Sequence, residues 1–357
     1  MNHIEIVEVE TAFGYQERWW FIDGKPLYAY LNQWTEKNEN DTTVRMMKPF
    51  ENLCPAWTKE LDWYGDVRFV WRLIGEEKAN LPILLCPEDL DFSCIVVVVE
   101  AVKTKECVYW KRIGCVNHER ESFAEEKESG ILKLEAYTDK DWERYGDNIA
   151  TAVVDSEEWC DWISGNWEEE LYRRRMNYTH PYWKTEGNIN WLHETDWCFD
   201  RAVYEKMTDL YWELETLSQL EKYTSEKKMS VKDCAVFISR LSRTGTEDLR
   251  EHLEDYGEIL LHLFASEQIS EPLIMLLKSG CAQDRRVSIY SRAVEIMWKY
   301  GDDSVVNVVD VTLLERLSDD ADVWRRFGTV ISDAFKQYIN TEVLVYNLMM
   351  GGVERLE

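Results

Sequence analysis

Histidine and cysteine, the residues that most often bind metals or act as nucleophiles, are scattered along this sequence. None of the six histidines belongs to an HExxH motif or to a pair at metal-ligand spacing. Cys107, Cys115 and His118 could meet at the end of one strand, because residues an even number apart on an unbroken strand share a face. Zinc sites, however, normally contain cysteines separated by two to four residues, and the nine cysteines here include no such pair. Buried thiols are therefore favoured over a metal site, and we expect neither a metal nor a cofactor.

The motifs of the common enzyme families are also missing. The sequence has no P-loop, no dinucleotide-binding glycine motif, no nucleophile elbow and no kinase signature. Acidic residues are numerous, but a glycosidase-type carboxylate pair is defined by a distance in space, which spacing along the chain does not give. We expect a binding protein and no enzyme. One alternative is a hydrolase with an unrecognised site in the tryptophan-rich first half, since tryptophan-lined clefts favour sugars, and another is a non-catalytic scaffold.

Composition and charge narrow the class of partner. The 357 residues include 68 acidic and 41 basic side chains, for a formal net charge of −27. Such a charge repels nucleic acid and anionic membranes and attracts basic surfaces. No apolar stretch approaches the roughly 20 residues of a membrane span, and the initial segment MNHIEIVEVE lacks the features of a signal peptide. We expect a cytoplasmic protein whose partner is a basic protein, with no binding to nucleic acid or membrane.

The chain divides into two halves of different composition. Of the 17 tryptophans, all but Trp298 and Trp324 lie at or before Trp212. The residues from 230 to the end carry 22 acidic and 14 basic side chains, a net charge of −8, so most of the negative charge lies in the first half. We therefore predict a tryptophan-rich acidic domain over residues 1–225 and a helical domain over residues 230–357.

The first half has the pattern of an α+β domain with a mixed or antiparallel sheet. Ile4–Glu10 alternates apolar and acidic residues as an edge strand does, and Asp23-Gly24 tolerates the positive φ of a hairpin turn. Residues 94–99, apolar on both faces, predict a central strand with residues 108–116 beside it. Further predicted elements are strands at 83–86 and 131–137 and helices at 156–175 and 200–223.

The second half has the pattern of an all-α domain. Apolar residues recur at helical spacing over 231–241, 249–264 and 323–338. Each stripe can bury one face of a helix. In the second of these segments the stripe expected to be buried consists of Leu249, Leu253, Tyr256, Leu260 and Leu263.

A tyrosine-glycine pair followed by an acid occurs four times, starting at Tyr64, Tyr145, Tyr256 and Tyr300. The glycine is expected to take the left-handed conformation that ends a helix, and the acid to cap the next helix. The last two copies are 44 residues apart, a period typical of HEAT and armadillo helix pairs. The spacing favours a HEAT-like stack in the second domain, with a plain helical bundle as the alternative.

Short segments in about the last 110 residues carry a resemblance to other proteins: DYGEILLH at 255–262, ISEP at 269–272, WKYGD at 298–302, VNVVDVTLLERLSDD at 306–320 and MMGG at 349–352. They resemble a small helical domain of unknown function in uncharacterised bacterial immunity-type proteins of polymorphic toxin loci. The segments that resemble its usual companion domain are WWFIDGK at 19–25, YGDNI at 145–149 and ELYRRRMNY at 170–178. The resemblance implies an immunity protein that neutralises a cognate toxin by binding it.

Acidic residues, some beside tryptophans, are the predicted contacts with such a partner. A nuclease toxin carries basic surface for phosphate, so an acidic partner gains association rate by electrostatic steering, and tryptophan supplies apolar anchors. Solubility charge and helix capping explain the same acids without a partner. The predicted contacts are Asp155, Glu157, Glu158, Asp161, Trp162, Glu168, Glu169, Asp302, Asp303, Asp310, Asp319 and Asp320.

Overall fold

The computed structural model describes residues 1–11, 16–36, 42–117, 140, 143, 165–281, 283–344 and 353–356. The chain forms two compact units, Met1–Tyr211 and Trp212–Glu357. The first unit contains antiparallel sheets with helices and the second is helical. This confirms the predicted α+β fold followed by an all-α fold. The division between the units falls inside a long helix, before the predicted boundary at 225–230, and the HEAT-like arrangement stays a prediction.

A three-stranded antiparallel sheet begins the first unit. It consists of β1 (Ile4–Glu10), β2 (Gln16–Ile22) and β3 (Lys25–Pro26), in that order. Asp23 and Gly24 form the turn between β2 and β3 with φ angles of 50° and 77°. The predicted hairpin and the predicted edge position of β1 are therefore confirmed. Strand β3 ends at its proline, which has no N–H to donate to a neighbouring strand.

The second sheet of the first unit has five antiparallel strands, in the order β4-β5-β6-β7-β8. Its middle strand is β6 (Val96–Lys103), and β7 (Cys107–Val116) pairs with it, as the sequence predicts. The valines at 96–99 are buried on both faces of the sheet. The other strands are β4 (Cys54–Pro55), β5 (Lys78–Leu85) and β8 (Ile189–Asp200).

Helices complete the first unit, and the last of them, α6, continues past the end of this unit at Tyr211. The predicted strand at 131–137 and the first part of the predicted helix at 156–175 lie outside the described residues. The end of that helix is observed as α4, which continues through the π-helical segment Arg175–Thr179 into α5. The helices are α1 (Leu27–Trp34), α2 (Thr42–Met47), α3 (Tyr64–Gly75), α4 (Trp167–Arg174), α5 (His180–Lys184) and α6 (Arg201–Lys222).

Tryptophan forms much of the core of the first unit. Trp20, Trp57 and Trp110 are fully buried, and the ring of Trp20 lies 5.0 Å from that of Trp57 and 6.4 Å from that of Trp110. The indole of Trp57 donates to the carbonyl of Pro82 at 3.0 Å, and that of Trp110 donates to the hydroxyl of Tyr204 at 3.2 Å. The indole N–H groups of Trp57 and Trp110 thus have acceptors, whereas that of Trp20 has none among the described residues. These tryptophans stabilise the fold and offer no anchor to a partner.

The second unit packs its helices around one apolar core that includes Phe264, Phe327 and Phe335. Among the described residues, no helix is long and apolar enough to cross a membrane. The π-helical segments Ser266–Ser270 and Val309–Leu314 each continue one helix into the next. The helices are α7 (Val231–Ser239), α8 (Gly245–Tyr256), α9 (Leu261–Ala265), α10 (Glu271–Lys278), α11 (Arg285–Tyr300), α12 (Asp303–Val308), α13 (Glu315–Ser318), α14 (Ala321–Gly328) and α15 (Asp333–Tyr338).

The tyrosine-glycine pairs do not share one backbone conformation. Gly257 has a φ of 73° and ends α8, as predicted, so residues 249–264 form two helices instead of one. Gly301 is extended, with a φ of −66°, and its missing side chain makes room for Val305 and for a backbone carbonyl. Gly65 lies inside α3 and allows α4 to approach closely. The predicted left-handed conformation is therefore wrong at Gly65 and Gly301, where close packing requires the glycine. The copy at 145–147 lies outside the described residues.

Candidate functional site

Three large apolar side chains that are close in the sequence are exposed at and just after the end of α8 in the second unit. Leu253 is 40% exposed, Tyr256 50% and Leu260 37%. Leu253 and Tyr256 are three residues apart on α8 and so lie on one face of the helix, and Leu260 follows the left-handed turn at Gly257. We call Leu253, Tyr256 and Leu260 the 253–260 patch. Grouped apolar side chains on a surface mark interaction sites, whereas single exposed ones do not.

The buried side chain of His252 positions the 253–260 patch. Its ring lies 4.9 Å from the ring of Tyr256 and 5.3 Å from that of Phe264. Its Nε2 accepts a hydrogen bond of 3.1 Å from the backbone N–H of Leu260, which requires a ring with no proton on that nitrogen. His252 therefore ties the backbone of Leu260 back to α8 and also contacts the ring of Tyr256.

Acidic side chains surround the 253–260 patch. Glu251, Glu254, Asp255 and Glu258 are all exposed. Arg250 offsets part of their charge, because its guanidinium lies 3.7 Å from the carboxylate of Glu254. The surface still carries a net negative charge beside its apolar side chains. This combination complements a basic protein surface that has apolar residues of its own.

Two of the predicted contact acids cap helices. The carboxylate of Asp302 accepts the backbone N–H of Val305 at 2.9 Å, at the start of α12. The carboxylate of Asp320 accepts the N–H of Val323 at 3.2 Å, at the start of α14, and lies 3.4 Å from Lys278. The hydrogen bond from Val323 holds the pKa of Asp320 below its usual value. Capping explains both residues without a partner.

The other predicted acids of the second unit differ in accessibility. Asp303 and Asp319 are exposed. Asp310 is half-buried: it accepts a hydrogen bond of 2.8 Å from the hydroxyl of Tyr338, and burial raises the pKa of its carboxyl. Its other carboxylate oxygen has no hydrogen-bond partner among the described residues. Asp303 and Asp319 are therefore better placed than Asp310 to meet a partner.

The predicted contact acids of the first unit are only partly described. Glu168 and Glu169 lie on α4. The carboxylate of Glu169 forms an ion pair with Arg68 and lies 3.9 Å from Arg173, so its charge is partly neutralised within the unit. The predicted contacts that lie outside the described residues are Asp155, Glu157, Glu158, Asp161 and Trp162.

A cleft of about 360 Å³ lies beside strands β5 to β8 in the first unit. Arg112 lines it, with Nε 2.7 Å from the carboxylate of Glu100 and the guanidinium 4.0 Å from the ring centroid of Trp191. Lys78 and Glu186 extend this charge network at 3.4 Å from Glu100 and Arg112 respectively. The cleft offers paired charges and an aromatic ring, which suits a small polar ligand.

The comparisons with known proteins concern the second unit. Residues 244–346 match a family described as Domain of unknown function (DUF7674). This range contains helices α8 to α15 and therefore the 253–260 patch. No curated protein and no solved structure matches the chain significantly.

The sequence pattern predicts that the side chains of the 253–260 patch are buried, and this prediction is wrong. Leu253, Tyr256 and Leu260 fit the apolar stripe expected to be buried along one helix at 249–264, yet the structure exposes all three. Gly257, which is expected to end a helix, is a signal for Leu260, because the register of the stripe also ends there; it gives no such signal for Leu253 and Tyr256. The cysteine prediction is partly tested: Cys107 and Cys115 lie on β7, both buried, and His118 lies outside the described residues.

Proposed function

We propose that this chain binds a basic protein partner through the 253–260 patch and the acids around it, and that the partner is a toxin domain which the chain neutralises. The observation that carries the proposal is the exposure of Leu253, Tyr256 and Leu260 among exposed acidic side chains. The resemblance to immunity-type proteins supplies the class of partner. The same proposal places the protein in the cytoplasm, because an immunity protein acts inside the cell that it protects.

Charge and apolar area would act at different stages of binding. The net charge of −27 attracts a basic surface and raises the association rate constant, most strongly at low salt. On contact, Tyr256 and the two leucines lose water, and burial of apolar area contributes about 25 cal/mol per Å² before the costs of association. The anchors therefore set the dissociation rate, and the acids favour basic partners over others.

Co-expression in a bacterium tests the immunity role. We expect the neighbouring gene to encode the toxin, and expression of its toxin domain to arrest growth. Expression of the full chain should restore growth, and the two proteins should co-purify. If growth is not restored and no complex is recovered, the proposed role is wrong. Restored growth without a complex would instead contradict neutralisation by capture.

Substitution of Tyr256 tests the apolar part of the surface. Because buried aromatic anchors contribute about 2 kcal/mol or more, Tyr256→Ala should raise the dissociation constant by about 30-fold. Met275 provides a matched control, since it is 72% exposed on α10, away from the patch along the chain. Met275→Ala should leave the dissociation constant unchanged. Equal effects of the two substitutions would show that the patch is not the contact.

Charge reversal tests the acidic part of the surface. Asp255→Lys should lower the association rate constant and weaken its dependence on salt, because long-range attraction to a basic partner falls. The control is Glu315→Lys on α13, which makes the same charge change at another exposed position of the unit. An association rate that is independent of salt in the natural chain would contradict electrostatic steering.

A hydrolase is the second candidate function, and the cleft beside β5 to β8 favours it. Trp191 supplies a ring for stacking, and Glu100 is a buried carboxylate that lies within reach of two cations. If the cleft is catalytic, the chain should cleave an oligosaccharide or peptide from a defined panel, and Glu100→Gln should abolish the cleavage while the fold stays intact. Turnover that survives Glu100→Gln would exclude this carboxylate.

A further inference from the structure

A loop in the first unit holds metal-ligating side chains that partner binding does not use. The loop at 86–95 joins β5 to β6. The Sγ atoms of Cys86 and Cys94 and a carboxylate oxygen of Asp89 all lie within 4.8 Å of one another. Cys86 is buried, Cys94 is half-buried and Asp89 is exposed, so the group has one side in the protein and one side in solvent. The geometry points to a binding site for a thiophilic divalent cation, with zinc as the ion.

Backbone hydrogen bonds hold the loop in the conformation that brings these side chains together. The N–H of Cys86 donates to the carbonyl of Ile95 at 3.1 Å and closes the base of the loop. The N–H of Leu90 donates back to the carbonyl of Cys86 at 3.2 Å, and Leu90 takes a left-handed φ of 49°. Phe92 anchors the far side, because it is buried with its ring 5.3 Å from that of Trp183. A loop held in this way loses little conformational freedom when an ion binds.

The donor set suits zinc better than the other common divalent cations. Magnesium and calcium take oxygen ligands, whereas thiolate ligands select zinc and other soft ions. Zn–S bonds of about 2.3 Å in a tetrahedron place the ligands about 3.8 Å apart. The three donor atoms, now within 4.8 Å of one another, would each move inward by about 1 Å or less. Three protein ligands leave the fourth position to water.

The sequence gives this site only a weak signal. The two cysteines are separated by Pro87 to Ser93, a longer interval than that of the usual cysteine pair, and the third ligand is one carboxylate among many. The fold provides the missing information, because the hairpin between β5 and β6 returns Cys94 to the side of Cys86.

Metal titration of the full chain tests the site. The protein is kept reduced with a phosphine, stripped with a chelator, and titrated with Zn²⁺ against a chromophoric competitor and separately with Co²⁺. We expect one ion per chain, and cobalt–thiolate charge-transfer absorption. Cys94→Ser should sharply reduce that absorption, because it removes one of the two thiolate ligands. Loss of a group that only supports a metal ligand typically weakens binding by roughly 10- to 100-fold, so Asp89→Asn, which changes a ligand itself, should weaken zinc binding by at least this factor.

Two controls keep the test specific. Asp91 lies in the same loop, and one of its carboxylate oxygens accepts hydrogen bonds from the backbone N–H and the hydroxyl of Ser93. Asp91→Asn removes the charge of this side chain but keeps an oxygen that can accept these bonds. Cys281→Ser removes an exposed thiol of the second unit. Both variants should bind zinc as the natural chain does. The inference is overturned if the natural chain takes up no stoichiometric zinc, if Cys94→Ser binds as well as the natural chain, or if Cys86 and Cys94 form a disulfide and the reduced protein binds no ion.

Discussion

Replacement of Gly65 by alanine tests how α3 and α4 pack in the first unit. Gly65 is buried in the first turn of α3. A Cβ atom at this position would lie closer than 3.0 Å to the backbone carbonyl oxygen of Glu168 and 3.1 Å from the Cβ of Leu171. Both neighbours belong to α4, the helix that carries two of the predicted contact acids. A backbone carbonyl cannot rotate away as a side chain does, so the whole helix must shift.

The expected loss of stability combines two opposing effects. Overpacking a filled interface costs about 1–3 kcal/mol, and contact with backbone favours the upper end of this range. Alanine is also better than glycine inside a helix, by up to about 1 kcal/mol. The free energy of unfolding of the first unit should therefore fall by about 2 kcal/mol. Gly75 ends the same helix and has no atom within 4 Å of a Cβ built on it, so Gly75→Ala should cause no loss.

Urea unfolding followed by tryptophan fluorescence measures this difference. The signal reports mainly on the first unit, because 14 of the 17 tryptophans precede residue 212. With a denaturant dependence of about 2 kcal/mol per M, the midpoint for Gly65→Ala should fall by about 1 M. Equal midpoints for Gly65→Ala and the natural chain would refute close packing of α3 on α4. An equal fall for Gly75→Ala would show that the cause is general and not the contact with Glu168.

Further predictions concern ionisation and backbone conformation. Burial raises the pKa of Glu17 to about 6 from 4.5 in the unfolded chain. The stability that this group contributes is therefore present below pH 4.5 and is lost as the pH rises to 6. Glu17→Gln should remove this pH-dependent loss of unfolding free energy, and an unchanged pH profile would contradict the prediction. Asp66→Ala leaves Arg175 without the carboxylate that lies 2.8 Å from its Nε. Calorimetry should show that the free energy of unfolding falls by about 3 kcal/mol. An unchanged free energy of unfolding would mean that water replaces the carboxylate. Gly257→Ala forces alanine into a φ of 73° and should destabilise the second unit by about 1–2 kcal/mol, detectable as a lower melting temperature; unchanged melting would show that the turn can rearrange.

The strands with clear local patterns are those that the sequence predicts. The valines of β6 are apolar on both faces, so the central position follows from them alone, although the strand begins at Val96 because residues 94 and 95 belong to the loop. Strand β8 is not predicted. Its twelve residues, Ile189–Asp200, include polar and exposed positions on both faces, and pairing with β7 makes it a strand. β7 and β8 are far apart in the sequence, so a local residue pattern cannot predict that they pair.

The candidate site is less predictable than the fold. Leu253 and Leu260 fit a buried helical stripe, yet both are exposed, and the turn at Gly257 interrupts the stripe only before Leu260. The tyrosine-glycine pair before Asp302 predicts that this acid caps a helix, and it caps α12, but no local signal shows whether the exposed Asp303 contacts a partner. Tertiary packing decides these cases, because burial and hydrogen bonding depend on the neighbouring elements.

The dissociation constant between the purified full chain and the toxin domain encoded by the neighbouring gene tests partner capture most directly. The measurement compares the natural chain with Tyr256→Ala and with Met275→Ala under the same salt concentration. We predict a stable complex for the natural chain and for Met275→Ala, and a dissociation constant about 30-fold higher for Tyr256→Ala. No complex with the natural chain, or equal dissociation constants for the natural chain and Tyr256→Ala, would contradict capture through the 253–260 patch.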